Sequence, residues 1–291
     1  MERYRTIIDE WSAFKHECAR MPIKTVRKNP IKAGEEFFMR LGGEFQFVER
    51  SEWNKNIFRL PGAGNPGNSA MHWLGEYYVQ EESAALPVEA LDPGPGEKIL
   101  DLCAAPGGKT TQIAGRVDND GKLIANDKSA RRMQSLTANV YRTGSACVST
   151  TNYDGRSFPG SEEYDRVLVD APCSGEGDRA RRNFLPAERE ESRNLSELQK
   201  DLLERAAGLT KEGGKVVYST CTISPFENEA VVEHALDNTE LRLESFSPQI
   251  RHVSGVNAFE DREFELDASK LVRVYPQFFN SGVIFVAKFT K

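Results

Sequence analysis

The sequence predicts an α/β fold, a mostly parallel sheet of seven strands with helices on both faces, behind a small α/β amino-terminal lobe. Two observations carry this expectation. From residue 97 onward, short apolar runs alternate with longer stretches of helical period. That is the pattern of βαβ units, whose crossovers cover both faces of a parallel sheet. Five of the runs also end in polar, small or thiol residues, at the strand ends where open sheets bind ligands.

The strands in order are KILDLCA, KLIAND, CVSTTNYD, DRVLVDAP, KVVYSTCT, LRLESF and SGVIFVAKF. Between them, KTTQIAGRV, SARRMQSLTANVYRTG, SELQKDLLERAAGLT and ENEAVVEHALDN have helical spacing. Gly213-Gly214 reads as the stop of the third of these helices. Upstream, WSAFKHECARM forms a short helix ending before Pro22, and IKTVRKNPI is basic and β-branched. The turn-rich PGAGNPGNSA, residues 61–70, closes the lobe. Residues 1–70 are therefore expected as one unit and 71–291 as the main domain, with 75–91 as a linking strand and helix. No internal repeat is visible.

The composition of this 291-residue chain, 39% hydrophobic and 28% charged, excludes collagen-like and low-complexity chains. No run approaches the roughly 20 apolar residues of a membrane span. MERYRTIIDEWSAF lacks an apolar signal region, so a cytoplasmic protein without membrane contact is expected. The net charge of −6 argues against unspecific coating of nucleic acid, but residues 1–32 hold eight Lys or Arg against four Asp or Glu. Cys18, Cys103, Cys147, Cys173 and Cys221 form no CxxC pair, and only four His are present. No metal site and no disulfide framework is expected. Cys18 and Cys147 read as small buried hydrophobes.

DLCAAPGGKT follows a strand and opens a helix. Cys103, Ala104, Ala105, Pro106, Gly107, Gly108 and Lys109 let a backbone approach a ligand at a helix start. The loop is neither a phosphate loop, which needs Gly at position 103, nor a G-x-G-x-x-G turn. Asp127, closing the second strand, suits two ribose hydroxyls. Asp154, closing the third, suits the amine of an adenine. Together they describe an adenosyl ligand, and S-adenosylmethionine fits better than a dinucleotide.

Asp170-Ala171-Pro172-Cys173 and Ser219-Thr220-Cys221-Thr222 end adjacent strands. Two thiols beside a nucleoside site point to pyrimidine chemistry. A thiolate adding to carbon 6 makes carbon 5 nucleophilic, and a base then removes the carbon 5 proton so that the thiol leaves. A nearby carboxyl shares a proton with the ring nitrogen. The chemistry alone leaves open which cysteine attacks.

DLCAAPGGKT, LVDAPCSGEG and YSTCTISPFENE resemble three signature motifs of the Nop/Sun family of RNA cytosine-5 methyltransferases. VQEESAALPVEAL and RVYPQFFNSGVIFVAKF are similar to its flanking segments, although Gly282-Val283-Ile284-Phe285 stands where the family has Gly-Phe-Phe. The likeness covers about residues 20–291, and TNYDGRSF draws it toward the RsmF-type ribosomal RNA enzymes. Those carry a further carboxy-terminal RNA-binding portion, which this chain is expected to lack.

The resemblance implies a Rossmann-like class I methyltransferase that forms 5-methylcytosine in structured RNA, rRNA or tRNA. It implies S-adenosylmethionine as cofactor, S-adenosylhomocysteine as product, no metal and a monomer without an obligate protein partner. Cys221 is then the nucleophile and Cys173 assists proton removal or release. Asp170 holds the cytosine and the methyl-donor end, and Lys109 reaches toward the base. Residues 103–109 wrap the methionine part, with Asp127 on the ribose, Arg132 positioning that acid and Asp154 by the adenine. Arg27, Lys28, Arg179, Arg181 and Arg182 are expected to contact RNA phosphates. Two other readings remain: a DNA enzyme, in which Cys173 attacks, and a non-catalytic RNA-binding assembly factor.

Overall fold

A computed structural model describes residues 1–161 and 163–291. Helix α1 (Trp11–Cys18) comes first. The lobe sheet follows, with β1 (Lys24–Lys28), β2 (Glu49–Arg50), β3 (Ile57–Leu60) and β4 (Tyr77–Val79) in the order β2-β3-β1-β4. Helices α2 (Phe37–Glu44) and α3 (Ala70–Trp73) join it, and Val26, Phe37, Leu41, Phe58 and Tyr77 form its core.

The lobe thus draws its fourth strand from beyond residue 70, because Val79 pairs with Val26. The glycine- and proline-rich turn lies inside the lobe, between β3 and α3. The first eighteen residues leave the lobe altogether: Tyr4, Phe14 and Cys18 pack against Ile223, Tyr275 and Val283.

The main sheet contains β5 (Lys98–Asp101), β6 (Lys122–Asn126), β7 (Val148–Thr151), β8 (Tyr164–Asp170), β9 (Thr210–Thr220), β10 (Arg242–Glu244), β13 (Val272–Val274) and β14 (Ile284–Thr290); β11 (Ala258–Phe259) and β12 (Arg262–Glu263) form a separate hairpin. Its path runs β10-β14-β9-β8-β5-β6-β7, with β13 on β14. Strands β5 to β9 are mutually parallel and the β10–β14–β13 edge is antiparallel. The sheet has eight strands among the described residues, against seven expected. The eighth, Val-Arg-Val, is too short to stand out from a connector by alternation.

Helices α4 (Leu86–Leu91), α5 (Gly108–Arg116), α6 (Ala130–Thr143), α7 (Glu176–Arg182), α8 (Arg189–Leu209) and α9 (Glu229–Asn238) complete the chain. Successive strand residues face opposite sides. Leu100, Val167, Val169 and Tyr218 meet Leu202, Leu203 and Val231 on one face, while Ile99, Leu168 and Val217 meet Leu86, Val88 and Ile113 on the other. Burial on both faces explains the near-continuous apolar runs of the central strands. No helix among the described residues is long and apolar enough to cross a membrane.

Two local expectations are corrected. Helix α8 ends at Leu209, so Gly213-Gly214 does not stop it. Gly213 lies inside β9 at a φ of +74°, and a Cβ on Gly214 would come within 2.6 Å of the Thr210 side chain. The glycines shape an irregular strand start. Arg27, read as an RNA contact, is buried between lobe and main domain. It donates to Gly108 O at 2.7 Å and Thr111 Oγ1 at 2.9 Å, so it ties β1 to α5. Burial lowers its pKa to about 10. Replacing Arg27 by Met is expected to lower stability by about 1–3 kcal/mol, because buried acceptors lose their donor. Urea unfolding measures this, with Lys28→Met, half-buried at the end of β1, expected to stay within about 0.5 kcal/mol.

Candidate active site at the carboxyl ends of the strands

The chain leaves β5 toward β6 and β7 on one side and returns through β8 on the other. The crevice beyond β5 and β8 is the switch point at which such sheets bind ligands. Five segments of the sequence converge there.

The loop after β5 turns at Gly107, whose φ is +105°. A Cβ there would stand 3.0 Å from Leu136, so the loop lies flat on α6. Asn139 on that helix donates to Pro106 O at 2.9 Å. Helix α5 starts at Gly108 and aims its first N–H groups at the crevice. Under the loop, Asp101 accepts from Thr110 at 2.7 Å, and its other oxygen is buried without a hydrogen-bond partner. Burial pushes this carboxyl up to about 7. Burial also holds the Cys103 thiol well above its usual pKa, with Asp101, Asp127 and Asp170 adding to the effect. Cys103 therefore packs rather than reacts.

Asp127 follows β6. Its oxygens accept from Ser129 N at 2.9 Å and Ala105 N at 3.2 Å, and Arg132 Nη1 lies 3.3 Å away. Arg132 also donates to Ala105 O. Asp154, at the end of β7, is clasped by Arg156 and by Lys128 at 2.7 Å each. The Arg156 guanidinium, followed by Lys128, holds its carboxyl far below the usual range. Sequence reasoning missed Asn126, which is fully buried and joins three strand ends. It donates to Leu102 O and Tyr153 O, both at 3.1 Å, and accepts from Tyr153 N at 2.9 Å.

Strands β8 and β9 bring the thiols together. Cys173 Sγ and Cys221 Sγ lie 3.3 Å apart. The hydrogen bond from Cys173 lowers the Cys221 pKa, and the same bond with burial raises that of Cys173. The pair is therefore polarised, with Cys221, which is exposed, as the more acidic thiol. Asp170 stands beside it, bonded to Lys109 Nζ at 2.6 Å and Ser219 Oγ at 2.9 Å.

Behind the thiols lies a buried lattice that the sequence reading did not assign. Glu227 accepts from Ser174 N at 2.9 Å, Ser174 Oγ at 2.6 Å and Ser192 Oγ at 2.8 Å. Ser174 Oγ meets Thr222 Oγ1 at 2.8 Å, and Thr222 Oγ1 donates to Glu176 at 3.2 Å. Gly177 N donates to Cys221 O at 3.1 Å. Each thiol loop is fixed by residues adjoining the other. Of the three arginines on α7, Arg179 braces Ser174 O at 2.9 Å and Glu191 at 2.5 Å, and Arg181 braces Ser281 O at 2.7 Å. Only Arg182 extends into solvent, with 79% of its side chain accessible.

A cavity of about 370 Å³ is lined by Glu81, Ser83, Ala105, Pro106, Lys109, Arg132, Asp170, Cys173, Cys221 and Val283, among others. It joins the thiols directly to the glycine loop. Asp127 and Asp154 do not line it, because Arg132 and the 105–106 backbone close over Asp127. The two regions meet at Ala105. The Arg132 side chain is half exposed.

The family model of 16S rRNA methyltransferase RsmB/F matches residues 88–290. The chain belongs to the RsmB/F family. It is 35% identical over 307 residues to ribosomal RNA small subunit methyltransferase F of Vibrio parahaemolyticus, covering 100% of this chain and 62% of that protein. The enzyme of the same name from Aliivibrio fischeri is 35% identical over 288 residues, covering 94% and 59%. The chain thus spans about three fifths of the length of these RsmB/F relatives. Among solved structures, a methyltransferase homolog protein from Pyrococcus horikoshii superimposes with a TM-score of 0.87 at 29% identity, over 100% of this chain and 93% of that one. NSun6 from the same organism, solved with SFG, gives 0.87 at 21% identity, over 100% and 97%, and supports the Rossmann-like methyltransferase fold.

Proposed function

We propose that this chain is an S-adenosylmethionine-dependent RNA cytosine-5 methyltransferase acting on structured RNA, with small-subunit rRNA as the favoured substrate. The observation that carries the reading is the polarised Cys173–Cys221 pair beside the Lys109–Asp170 ion pair, in a cavity that reaches the glycine loop.

The residues present suit the cofactor. Three carboxylates, Asp101, Asp127 and Asp170, converge on the loop, and one Asp101 oxygen is buried unpaired. That field favours a ligand with a sulfonium and an ammonium group and opposes a polyphosphate. The start of α5 suits the ligand's own carboxylate. When bound, S-adenosylmethionine supplies a methyl group with electrophilic character and departs as S-adenosylhomocysteine.

Everything else falls to the chain's own side chains. The Cys221 thiolate adds to carbon 6 of a flipped-out cytosine, and the ring's electron pair becomes available at carbon 5. Lys109 and Asp170 fix the base edge next to the thiolate. After methyl transfer the carbon 5 proton must leave before the sulfur–carbon bond breaks. Cys173, 3.3 Å from the departing sulfur, is placed to relay that proton and to protonate Cys221 on release. The ribosomal RNA preference draws on the names of the relatives.

The test is methylation of small-subunit rRNA from cells lacking this protein, read by bisulfite sequencing. Protection of one or a few cytosines is expected. Methyl incorporation without bisulfite protection overturns the carbon 5 assignment.

The polarised pair carries a pH signature. Because the Cys173 bond depresses the Cys221 pKa, alkylation of Cys221 by iodoacetamide should rise with pH at a midpoint below that of an ordinary thiol. In Cys173→Ala the donor is lost and the midpoint should move to higher pH. An unmoved midpoint contradicts the pairing.

A further inference from the structure

We propose that Arg3 and Tyr4 are positioning residues of the thiol pair, acting through Glu176; this deepens the cytosine-5 reading above and, for its effect on rate, rests on it. The segment that carries them precedes the lobe, bypasses it and packs behind the thiol loops.

Glu176 opens α7 just after the Cys173 loop and is fully buried. Its Oε1 accepts from Tyr4 Oη at 2.8 Å, Arg3 Nη2 at 3.1 Å and Ala187 N at 2.9 Å. Its Oε2 lies 3.2 Å from Thr222 Oγ1, and Thr222 Oγ1 meets Ser174 Oγ at 2.8 Å. Thr222 follows Cys221 and Ser174 follows Cys173, so one carboxylate joins Arg3 and Tyr4 to both thiol loops. The next residue touches Cys221 directly. Gly177 N donates to Cys221 O, and a Cβ on Gly177 would stand 2.9 Å from that oxygen. A shift of the 176–177 turn therefore reaches Cys221 without slack.

Arg3 and Tyr4 do more than cover the loops. Tyr4 stacks on Phe259 with ring centroids 5.4 Å apart, and the Arg3 guanidinium lies 4.8 Å over the Tyr4 ring. Arg3 Nη2 also donates to Tyr4 Oη at 2.7 Å, which leaves the phenol proton for Glu176. Burial, and then Glu176 itself, pushes the Tyr4 pKa far above its usual value, so that proton stays on the phenol. Arg3 supplies the buried carboxylate with a cation. Apolar residues such as Phe14 would suffice to fill the space. A charge and a hydroxyl aimed at one oxygen fix it in direction as well as in place. The thiols need that precision. Their polarisation and the proton relay both depend on an Sγ–Sγ separation of 3.3 Å, and a misplacement of about 1 Å costs about 10²-fold in rate.

The experiment compares wild type with Tyr4→Phe, Arg3→Met, Arg3→Lys and Phe14→Leu. Each is read for methylation of small-subunit rRNA with labelled S-adenosylmethionine, for the pH midpoint of Cys221 alkylation by iodoacetamide, and for Tm. Tyr4→Phe keeps the stacked ring and loses one donor, and its kcat should fall about tenfold; Arg3→Met should lose about 10²-fold. KM for RNA and for S-adenosylmethionine should hold. In both variants the midpoint should move to higher pH, because a looser pair weakens the Cys173 bond. Asp170, Lys109 and Asp178, the charged groups facing Cys221, are unchanged in them. Arg3→Lys should stay within about threefold of wild type, since one point charge serves a single oxygen. Phe14→Leu, in the same apolar cluster, should lower Tm and leave kcat and midpoint at wild type. Should Arg3→Met fail to fold, Tyr4→Phe decides. A wild-type kcat or an unmoved midpoint in the folded variants overturns the inference, as does a Phe14→Leu protein that loses as much as they do. If wild type methylates no rRNA, the cytosine-5 reading falls, and the midpoints still decide the positioning role.

Discussion

Cys221→Ala is expected to lower methyl transfer by about 10⁴-fold or more, equivalent to roughly 5 kcal/mol of barrier. The size follows from what the sulfur does. Without an adduct at carbon 6, carbon 5 of cytosine is too poor a nucleophile to take a methyl group, and no neighbour replaces the lost bond. Cys173 stands 3.3 Å away, but burial and its bond to Cys221 hold its proton on. The fold should be indifferent to the change, since Cys221 is exposed and its loop is held by Gly177 N and Thr222 rather than by its own sulfur. Cofactor affinity and Tm should therefore match wild type. Residual activity above about one per cent would move the nucleophile elsewhere.

The largest stability effect is expected at Arg273. This side chain is 1% exposed and paired with Glu229, with Nε donating to Oε1 at 2.7 Å. It also donates to Ile223 O at 2.9 Å and Tyr275 Oη at 3.3 Å, while Glu229 accepts from Val256 N at 3.0 Å. Arg273→Ala leaves a buried carboxylate without its cation. About 3–5 kcal/mol of stability should be lost, or a Tm fall of about 6–20 °C. Removing both charges, Arg273→Met with Glu229→Leu, should recover much of that loss, because the larger part of it is the uncompensated charge. Activity should fall in the single variant as well, since Ile223 lies two residues beyond Cys221. Thermal unfolding of the three proteins, wild type included, decides this. A loss under 1 kcal/mol in Arg273→Ala would mean that the pair is not buried as described.

The candidate site was legible because its residues are contiguous. Strand ends concentrate ligand-binding groups into short segments, so DLCAAPGGKT, DAPCSGEG and STCT each show a strand, a turn and a reactive group together. The mostly parallel sheet, and the gathering of the candidate residues at its carboxyl ends, followed from the βαβ alternation. What was not legible depends on partners distant in sequence. Arg27 looked like surface charge because its neighbours are basic, and only α5, eighty residues on, reveals it as a strut. Asn126 read as one letter of a strand end until Leu102 and Tyr153 closed around it. That the lobe sheet takes a strand from beyond residue 70 was not legible for a related reason: a glycine- and proline-rich stretch marks a turn, and a turn need not separate strands of one sheet.

The central claim is that the sulfur at position 221, and not the one at 173, bonds to the base. It is tested most directly in Cys173→Ala protein incubated with small-subunit rRNA and S-adenosylmethionine, then digested and mapped by mass spectrometry. The account predicts a stable adduct of methylated cytosine on the peptide containing Cys221, and no adduct in Cys221→Ala. An adduct formed by the Cys221→Ala protein, carried on Cys173, would contradict it.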